Sequence, residues 1–321
     1  MNFSPENQKI SIVIPVYNGG LSIGGLVDEL VAQLSPIYKI EIVLVNDCSR
    51  DNSEKMCIEL ALKYPETVCF YSLAINSGEH NAVMAGLNKA SGDFAVVMDD
   101  DFQNPVSEVI KLITYMVSND YDVVYTYYAD KKHSFFRNLG SKFNDRVANL
   151  MLKKPRNLYL SSFKILNRFL INEIIKYNLP YTYIDGLILR TTSNIGKVEV
   201  AHNSRKIGKS NYTFLKLVSL WLNTFTSFSI IPLRFAMILG FIFSIIGFGI
   251  GINSLIEKLE NPNVPQGYTS LIIVISVYAG IQLIAIGMVG EYLGRVFMAQ
   301  NKKPQYTIRR SFKEGVLNGE E

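Results

Sequence analysis

Residues 94–105 read FAVVMDDDFQNP, a short apolar run that ends directly in three aspartates and a polar turn. Three similar runs precede it at 10–16 (ISIVIPV), 40–45 (IEIVLV) and 68–75 (VCFYSLAI). Short β-branched runs that alternate with helical segments are typical of buried parallel strands with helices on both faces of the sheet. The sequence therefore predicts an α/β domain with a mainly parallel sheet, which a further strand at 122–127 extends.

Polar residues stand where these predicted strands end. In open α/β sheets ligands bind at the carboxyl ends of strands, so we expect Asn18, Asp47 and Gly78 to share one site with the acidic turn. No G-x-G-x-x-G and no G-x-x-x-x-G-K-[ST] sequence occurs near the strands. Their absence argues against a dinucleotide enzyme and against a P-loop NTPase.

The three aspartates of the turn are costly side by side unless a cation neutralises them. Alternate side chains of an extended turn point the same way, so Asp99 and Asp101 are candidate ligands of one metal ion. Oxygen ligands suit Mg²⁺ or Mn²⁺, which also take phosphate oxygens of a substrate. A solvated acidic turn without a metal is the alternative.

The composition indicates contact with a membrane. Of the 321 residues, 48% are hydrophobic and only 19% are charged, whereas soluble domains have about 25% charged residues. The first 130 residues hold 7 Lys/Arg against 18 Asp/Glu, and the remainder holds 25 against 10. A basic half suits anionic lipid or nucleic acid. The apolar segments of that half favour lipid, so no nucleic-acid partner is expected.

Two uncharged stretches are long enough to cross a bilayer. Residues 235–256 carry no charge over 22 positions, and residues 261–289 are also uncharged, so spans are predicted at about 235–256 and 269–290. A pair of buried core helices is the alternative. Basic residues flank both ends of the pair, whereas the connecting loop has only Lys258. Both ends should therefore be cytosolic, in a multi-pass protein of the inner (plasma) membrane.

The domain division follows from these patterns. We predict a cytosolic catalytic domain at 1–210, an interfacial amphipathic segment at 211–232, a transmembrane hairpin at 233–295 and a basic cytosolic tail at 296–321. An ordinary packing helix is the alternative for the interfacial segment. Glycines in the hairpin allow close helix packing and hence a homo-oligomer.

The motifs of the first half resemble glycosyltransferase family 2. They are SIVIPVYN (11–18), VNDCSRDNS (45–53), NSGEHNAVMAGLNKASGD (76–93) and GDFAVVMDDDFQNP (92–105), in the order and spacing of that family. The resemblance implies a GT-A fold, a nucleotide-sugar donor and a metal held by Asp99 and Asp101. The residues that it places around the nucleotide sugar are Pro15, Tyr17, Asn18, Asp47, Gly78, His80, Asn81 and Asp100.

The second half is similar to polyprenyl-phosphate glycosyltransferases of the bactoprenol glucosyltransferase and undecaprenyl-phosphate aminoarabinose transferase type. The similarity lies in the segment from His202 and in IGMVGEYLGRVFMAQNKKPQY (286–306). It implies inverting transfer, with UDP as the expected nucleotide, to undecaprenyl or another polyprenyl phosphate. The R-x-x-G-x-S motif of that group maps to Arg205, Gly208 and Ser210, which makes Arg205 a catalytic candidate. Some relatives carry Asp and Arg where this chain has Ser162 and Lys164.

A lipid phosphate needs positive charge more than it needs a base. Its second pKa is roughly 6, so it is largely ionised at neutral pH. Asp185 is a candidate for facing the acceptor or for capping a helix, and His80 is expected to position rather than to abstract a proton. The candidates for binding the lipid phosphate are Arg137, Arg205, Lys206 and Lys209.

Two other functions are compatible with parts of the sequence. A processive polysaccharide synthase shares the motifs of the first half but should have more spans and a Q-x-x-R-W motif. The only tryptophan, Trp221, lies in no such pattern. A non-catalytic membrane scaffold would not need Asp47 and the acidic turn at strand ends.

Overall fold

The computed structural model describes residues 8–128, 155, 158–180, 182–201, 231–261, 267–301 and 304–319. The chain divides into two compact units. One contains Met1–Tyr212 together with Lys303–Glu321, and the other contains Thr213–Lys302.

The first unit is built on a sheet that has nine strands in the described residues, in the order β7-β5-β6-β4-β1-β2-β3-β8-β9. The strands are β1 Lys9–Val16, β2 Lys39–Asn46, β3 Val68–Leu73, β4 Phe94–Val97, β5 Val123–Tyr127, β6 Lys164–Asn167, β7 Ile195–Glu199, β8 Ile308–Lys313 and β9 Val316–Gly319. The four central strands β4, β1, β2 and β3 are parallel, as predicted. Strand β6 is antiparallel to both β4 and β5, and β8 is antiparallel to β3.

Helices cover both faces of this sheet. They are α1 Ile23–Leu34, α2 Ser53–Lys63, α3 Glu79–Lys89, α4 Val106–Asn119, α5 Arg168–Ile174 and α6 Ile184–Thr191. Alternate residues of β1 such as Ile12 and Ile14 belong to the core formed with α1, α2 and α4. The opposite face carries α3, where a Cβ on Gly86 would lie only 2.3 Å from Val13 Cγ1. The predicted α/β architecture is therefore confirmed.

The C-terminal residues differ from the prediction of a basic tail, because 308–319 belong to the catalytic sheet. Strand β8 pairs with β3, and Phe312 lies opposite Phe70 with only 4% of its surface exposed. The turn to β9 consists of Glu314 and Gly315, both with positive φ, as a two-residue hairpin turn requires. An edge strand presents unpaired backbone groups, and β8 satisfies those of β3.

The second unit contains two long helices, α7 Ile231–Glu260 and α8 Tyr268–Gln300, which contact each other. Each includes an apolar window long enough to cross a membrane, Ala236–Asn253 and Val277–Gln300, neither of them buried within the protein. Helix α8 continues past the predicted end of the hairpin at 295. Among the described residues, a Cβ on any glycine of these helices would meet no atom of the other helix within 4 Å. Residues 211–230 of the predicted interfacial segment lie outside the described residues.

Candidate active site

Three loops meet at one edge of the sheet because β4, β1 and β2 are adjacent and parallel. Asn18 follows β1, Asp47 follows β2 and the acidic turn follows β4. The carboxyl ends of parallel neighbours lie side by side, so the predicted polar residues share this edge. Pro15 differs from them because it lies within β1, paired with Val45.

Asp47 is buried, with 3% of its surface exposed. Its two carboxylate oxygens accept hydrogen bonds from the backbone N–H groups of Ser77 (2.6 Å) and Gly78 (2.9 Å). Burial raises the pKa of Asp47, while the two hydrogen bonds oppose that rise. The residue therefore shapes the loop between β3 and α3, where Gly78 adopts a φ of +88° that favours glycine.

Asn18 joins the loops after β1 and β2. Its backbone N–H donates to Ser49 Oγ (3.0 Å), and its side-chain Oδ1 accepts from the backbone N–H of Arg50 (2.9 Å). Tyr17, beside it, is 40% exposed at the same edge. Tyr17 and Asn18, which were both predicted to bind the nucleotide sugar, thus border an open surface rather than the core.

Each aspartate of the acidic turn has a different environment. Asp99 Oδ2 accepts a hydrogen bond from Ser162 Oγ at 2.7 Å, and Asp101 is 8% exposed. Asp100 lies against Gly19, where an added Cβ would be 1.9 Å from Asp100 Oδ2. Burial, followed by the charges of Asp99 and Asp101, raises the pKa of Asp100 to about 7. Its Oδ2 is buried and has no hydrogen-bond partner in the part of the chain that the structure describes.

The acidic turn fits a divalent cation that takes part of its ligands from a substrate. In the described part of the chain, no three acidic, histidine or cysteine side chains converge as a complete metal centre. Mg²⁺ and similar ions are commonly held by one or two carboxylates together with substrate phosphates, which matches Asp99 and Asp101. Among the described residues, no hydrogen bond reaches the buried Oδ2 of Asp100, so one acceptor oxygen of the turn stays unused.

The first turn of α3 carries the predicted residues His80 and Asn81. Asn81 Nδ2 donates to the carbonyl oxygen of Ser77 (2.7 Å), and its buried Oδ1 has no partner among the described residues. The His80 ring packs edge-on against Tyr183, with 5.1 Å between ring centroids. Burial lowers the pKa of His80 to about 4, so its imidazole is neutral at pH 7.

A buried ion pair that was not predicted joins Lys164 of β6 to Asp185 of α6. Lys164 Nζ contacts Asp185 Oδ1, and Tyr125 donates to the same oxygen from its hydroxyl (2.8 Å). The Lys164 side chain is 4% exposed and the Asp185 side chain 10%. Asp185 therefore neutralises a lysine within the protein, and neither of its two predicted roles included this contact. Sequence spacing could not show it, because the pair joins β6 to α6.

The basic residues predicted to hold a lipid phosphate lie outside the described residues. They are Arg137, Arg205, Lys206 and Lys209. Their roles, and that of Arg205 in catalysis, stay predictions.

Known proteins match this chain along most of its length. The family model "Glycosyl transferase family 2" matches residues 11–180. The undecaprenyl-phosphate 4-deoxy-4-formamido-L-arabinose transferase of Proteus mirabilis is 30% identical over 305 residues, 94% of this chain and 93% of the relative. The Klebsiella pneumoniae protein of the same name is 31% identical, over 95% of this chain and 94% of its own length.

Solved structures share the fold. Glucosyl-3-phosphoglycerate synthase from Mycobacterium tuberculosis, in complex with Mn²⁺, UDP-glucose and phosphoglyceric acid, superposes with a TM-score of 0.54. The likeness covers 68% of this chain and 78% of that protein at 14% identity, so it concerns the fold alone. The sheet, the strand-end aspartates, the family match and the full-length relatives lead to one conclusion: the chain is a glycosyltransferase that belongs to glycosyl transferase family 2.

Proposed function

We propose that the protein is an inverting glycosyltransferase that moves a sugar from a nucleotide-diphosphate donor, a UDP-sugar, to undecaprenyl or another polyprenyl phosphate. The observation that carries the proposal is the convergence of Asp47 and the acidic turn at one edge of the sheet. Relatives named as undecaprenyl-phosphate transferases, which match nearly the whole chain, support the acceptor.

On the donor side, the loops after β1, β2 and β3 would hold the nucleotide. Asp47 and Asn18 fix these loops through the hydrogen bonds described above. Asp99 and Asp101 would hold Mg²⁺ or Mn²⁺ next to the diphosphate. When bound, the ion would neutralise charge on the diphosphate leaving group.

On the acceptor side, the reaction needs little base catalysis. A lipid phosphate with a second pKa of roughly 6 reaches the site already ionised. One of its oxygens forms a bond to the anomeric carbon while the bond from that carbon to the donor diphosphate breaks, which inverts the configuration. His80 is neutral, and Ser162 carries a hydroxyl where some relatives carry an acid. Neither position therefore supplies a strong base, which the proposed reaction does not need.

The lipid tail restricts where the acceptor phosphate can bind. We propose that Arg205, with Lys206, Lys209 and Arg137, holds it at the cytosolic surface, because planar guanidinium groups bind phosphate through two hydrogen bonds. Arg205→Lys should lower transfer markedly and leave donor affinity intact. Measuring both quantities separates this role from general attraction to the membrane, for which lysine would suffice. Normal transfer by the variant would contradict the proposed clamp.

We also propose that α7 and α8 span the inner membrane with the catalytic domain in the cytosol. For the domains we propose 1–210, completed by β8 and β9, as the catalytic domain, 211–232 as the interfacial segment and 233–295 as the hairpin, whose second helix continues to Gln300. A reporter inserted near Asn263 should then be non-cytosolic, whereas a reporter at the N-terminus should be cytosolic. A cytosolic loop would contradict two complete spans.

The activity itself is tested with membranes containing the protein, undecaprenyl phosphate and a panel of radiolabelled nucleotide sugars. Label should move into the lipid fraction as a single sugar. Asp99→Asn or Asp101→Asn should lower this transfer by at least about a hundredfold, since metal ions contribute several kcal/mol of transition-state stabilisation. Asp93→Asn is the matched control, because this aspartate contacts the backbone of Lys9 at the start of β1.

The same assay distinguishes the alternatives. A processive synthase would produce long polysaccharide, and a scaffold would transfer no label. Full activity and unchanged metal dependence in both aspartate variants would place the metal site elsewhere.

A further inference from the structure

The start of β6 lies beside the acidic turn. Strand β6 is antiparallel to β4, with Lys164 opposite Val97, so the residues that lead into β6 adjoin the residues that follow β4. Ser162 and Asp99 are therefore neighbours in space although 63 positions separate them in the sequence. The parallel strand–helix pattern contains no signal for this pairing.

The contact is a direct hydrogen bond. Ser162 Oγ donates to Asp99 Oδ2 at 2.7 Å. The backbone around the serine is held from β5, where Thr126 Oγ1 donates to the carbonyl oxygen of Phe163 (2.7 Å) and contacts Ser161 Oγ (3.0 Å). Thr126, Ser161 and Phe163 are all buried. The donor to Asp99 thus comes from a well-anchored segment, which restricts the rotation of the carboxylate.

A hydroxyl suits this position electrostatically. Three aspartates already follow one another in the acidic turn, and Asp101 has only 8% of its surface exposed. A carboxylate at position 162 would add a fourth negative charge, whereas serine supplies a hydrogen bond and no charge. Groups that hydrogen-bond to a metal ligand fix its orientation, and their loss typically lowers metal affinity by about tenfold to a hundredfold.

We propose that Ser162 is a positioning residue, which orients Asp99 for binding the divalent cation together with the donor diphosphate. The inference rests on the proposed function, because it takes Asp99 as a ligand of that cation. Ser162 thus orients a ligand of the metal ion and takes no part in proton transfer.

The test measures Mn²⁺ binding directly, by electron paramagnetic resonance of the free ion, with the full-length protein in detergent and UDP as the probe. Ser162→Ala should raise the Mn²⁺ dissociation constant by about tenfold to a hundredfold. Ser162→Thr keeps the hydroxyl and should bind as the unchanged protein does. Ser118→Ala is the matched control, because this exposed serine donates to the carbonyl oxygen of Thr114 within α4, away from the acidic turn.

Transfer activity provides a second measurement. A saturating Mn²⁺ concentration should restore most of kcat in Ser162→Ala, a recovery that a folding defect would not give. If Ser162→Ala binds Mn²⁺ as tightly as Ser118→Ala while Asp99→Asn does not bind it, the positioning role is overturned and the metal site stands. If Asp99→Asn itself binds Mn²⁺ normally, both the inference and the proposed metal site are overturned.

Discussion

Replacing Glu41 by glutamine should destabilise the catalytic unit without touching the candidate site. Glu41 is 6% exposed on β2, and its carboxylate accepts hydrogen bonds from Lys9 Nζ (2.7 Å), Ser91 Oγ (2.6 Å), the Gly92 N–H (3.2 Å) and Ser11 Oγ. These groups lie at the amino ends of the strands, the opposite edge from the acidic turn. A glutamine there would lose the charge and would turn an N–H₂ group toward donors.

The expected loss of folding stability in Glu41→Gln follows from the pKa of Glu41. Burial raises it, but the hydrogen bonds from Lys9, Ser11 and Ser91 outweigh burial and lower it from 4.5 to about 2. The difference of about 2.5 corresponds to about 3 kcal/mol, at roughly 1.36 kcal/mol per pKa unit. Because the folded-state pKa is the lower one, this stability is present above about pH 4.5 and is lost as the pH falls toward 2.

A fluorogenic thiol reagent can follow thermal unfolding in detergent. Cys57 is fully buried, and burial raises the pKa of its thiol, so it should react only after unfolding. The exposed Cys48 and the partly exposed Cys69 are replaced by serine in every variant. For a unit of this size Tm changes by about 2–4 °C per kcal/mol, so Glu41→Gln should lower Tm by roughly 6–12 °C. Glu59→Gln is the control, since its exposed carboxylate lies 3.9 Å from Lys55 Nζ.

Two results would refute this reasoning. One is a Tm for Glu41→Gln that equals the Tm of the Glu59→Gln control at neutral pH. The other is a difference from the unchanged protein that stays constant as the pH falls below about 4.5, because the ionised carboxylate would then not be its source.

Three further changes test the site. Gly19→Ala should lower sugar transfer by about a hundredfold in the membrane assay, because its Cβ would lie 1.9 Å from Asp100 Oδ2 and displace the acidic turn. Asp185→Asn should cost about 3–5 kcal/mol in thermal unfolding, because it leaves the Lys164 ammonium buried without a counter-charge. The pH profile of kcat/KM should show no ionisation of His80 between about pH 6 and 8, because the pKa of this residue is lowered to about 4; comparison with the profile of His80→Asn checks this.

Matched variants control for general effects of substitution. A Cβ on Gly24 would lie 3.4 Å from Met56 Cε, an ordinary contact, so Gly24→Ala should keep normal transfer. Glu173→Gln removes an exposed partner of Lys176 and should change stability little. If Gly19→Ala is as active as Gly24→Ala, the close approach of Asp100 does not matter for the reaction. A stability of Asp185→Asn equal to that of Glu173→Gln would contradict the cost assigned to the buried lysine.

The central strands and the two long helices could be predicted because their signals are local. Each parallel strand is a continuous β-branched run followed by turn residues, and each long helix contains an uncharged stretch of sufficient length. The rule that ligands bind at the carboxyl ends of strands then placed Asp47 beside the acidic turn without any knowledge of side-chain contacts. The antiparallel strands β6 and β8, which flank these parallel strands, lacked such signals. IRRSFK (308–313) is short and basic, and its partner β3 is far away in the sequence.

The contacts that shape the site are not local, and sequence reasoning missed them. The bond from Ser162 to Asp99 and the ion pair of Lys164 with Asp185 both depend on β6, which is antiparallel to its neighbours. In the sequence Gly19 only follows the apolar run at 10–16, and nothing there shows that it lies against Asp100. Sequence order alone cannot show which distant side chain packs against a glycine.

The pairing of β8 with β3 has a consequence for how the protein is made. Ribosomes synthesise the chain from its N-terminus, so both long helices leave the ribosome before β8 exists. Until then β3 is an edge strand with unpaired backbone groups, which favour association with other strands. The sheet can be completed only after both long helices have been synthesised. A chain that ended at Lys303 would carry every predicted site residue on an unfinished sheet.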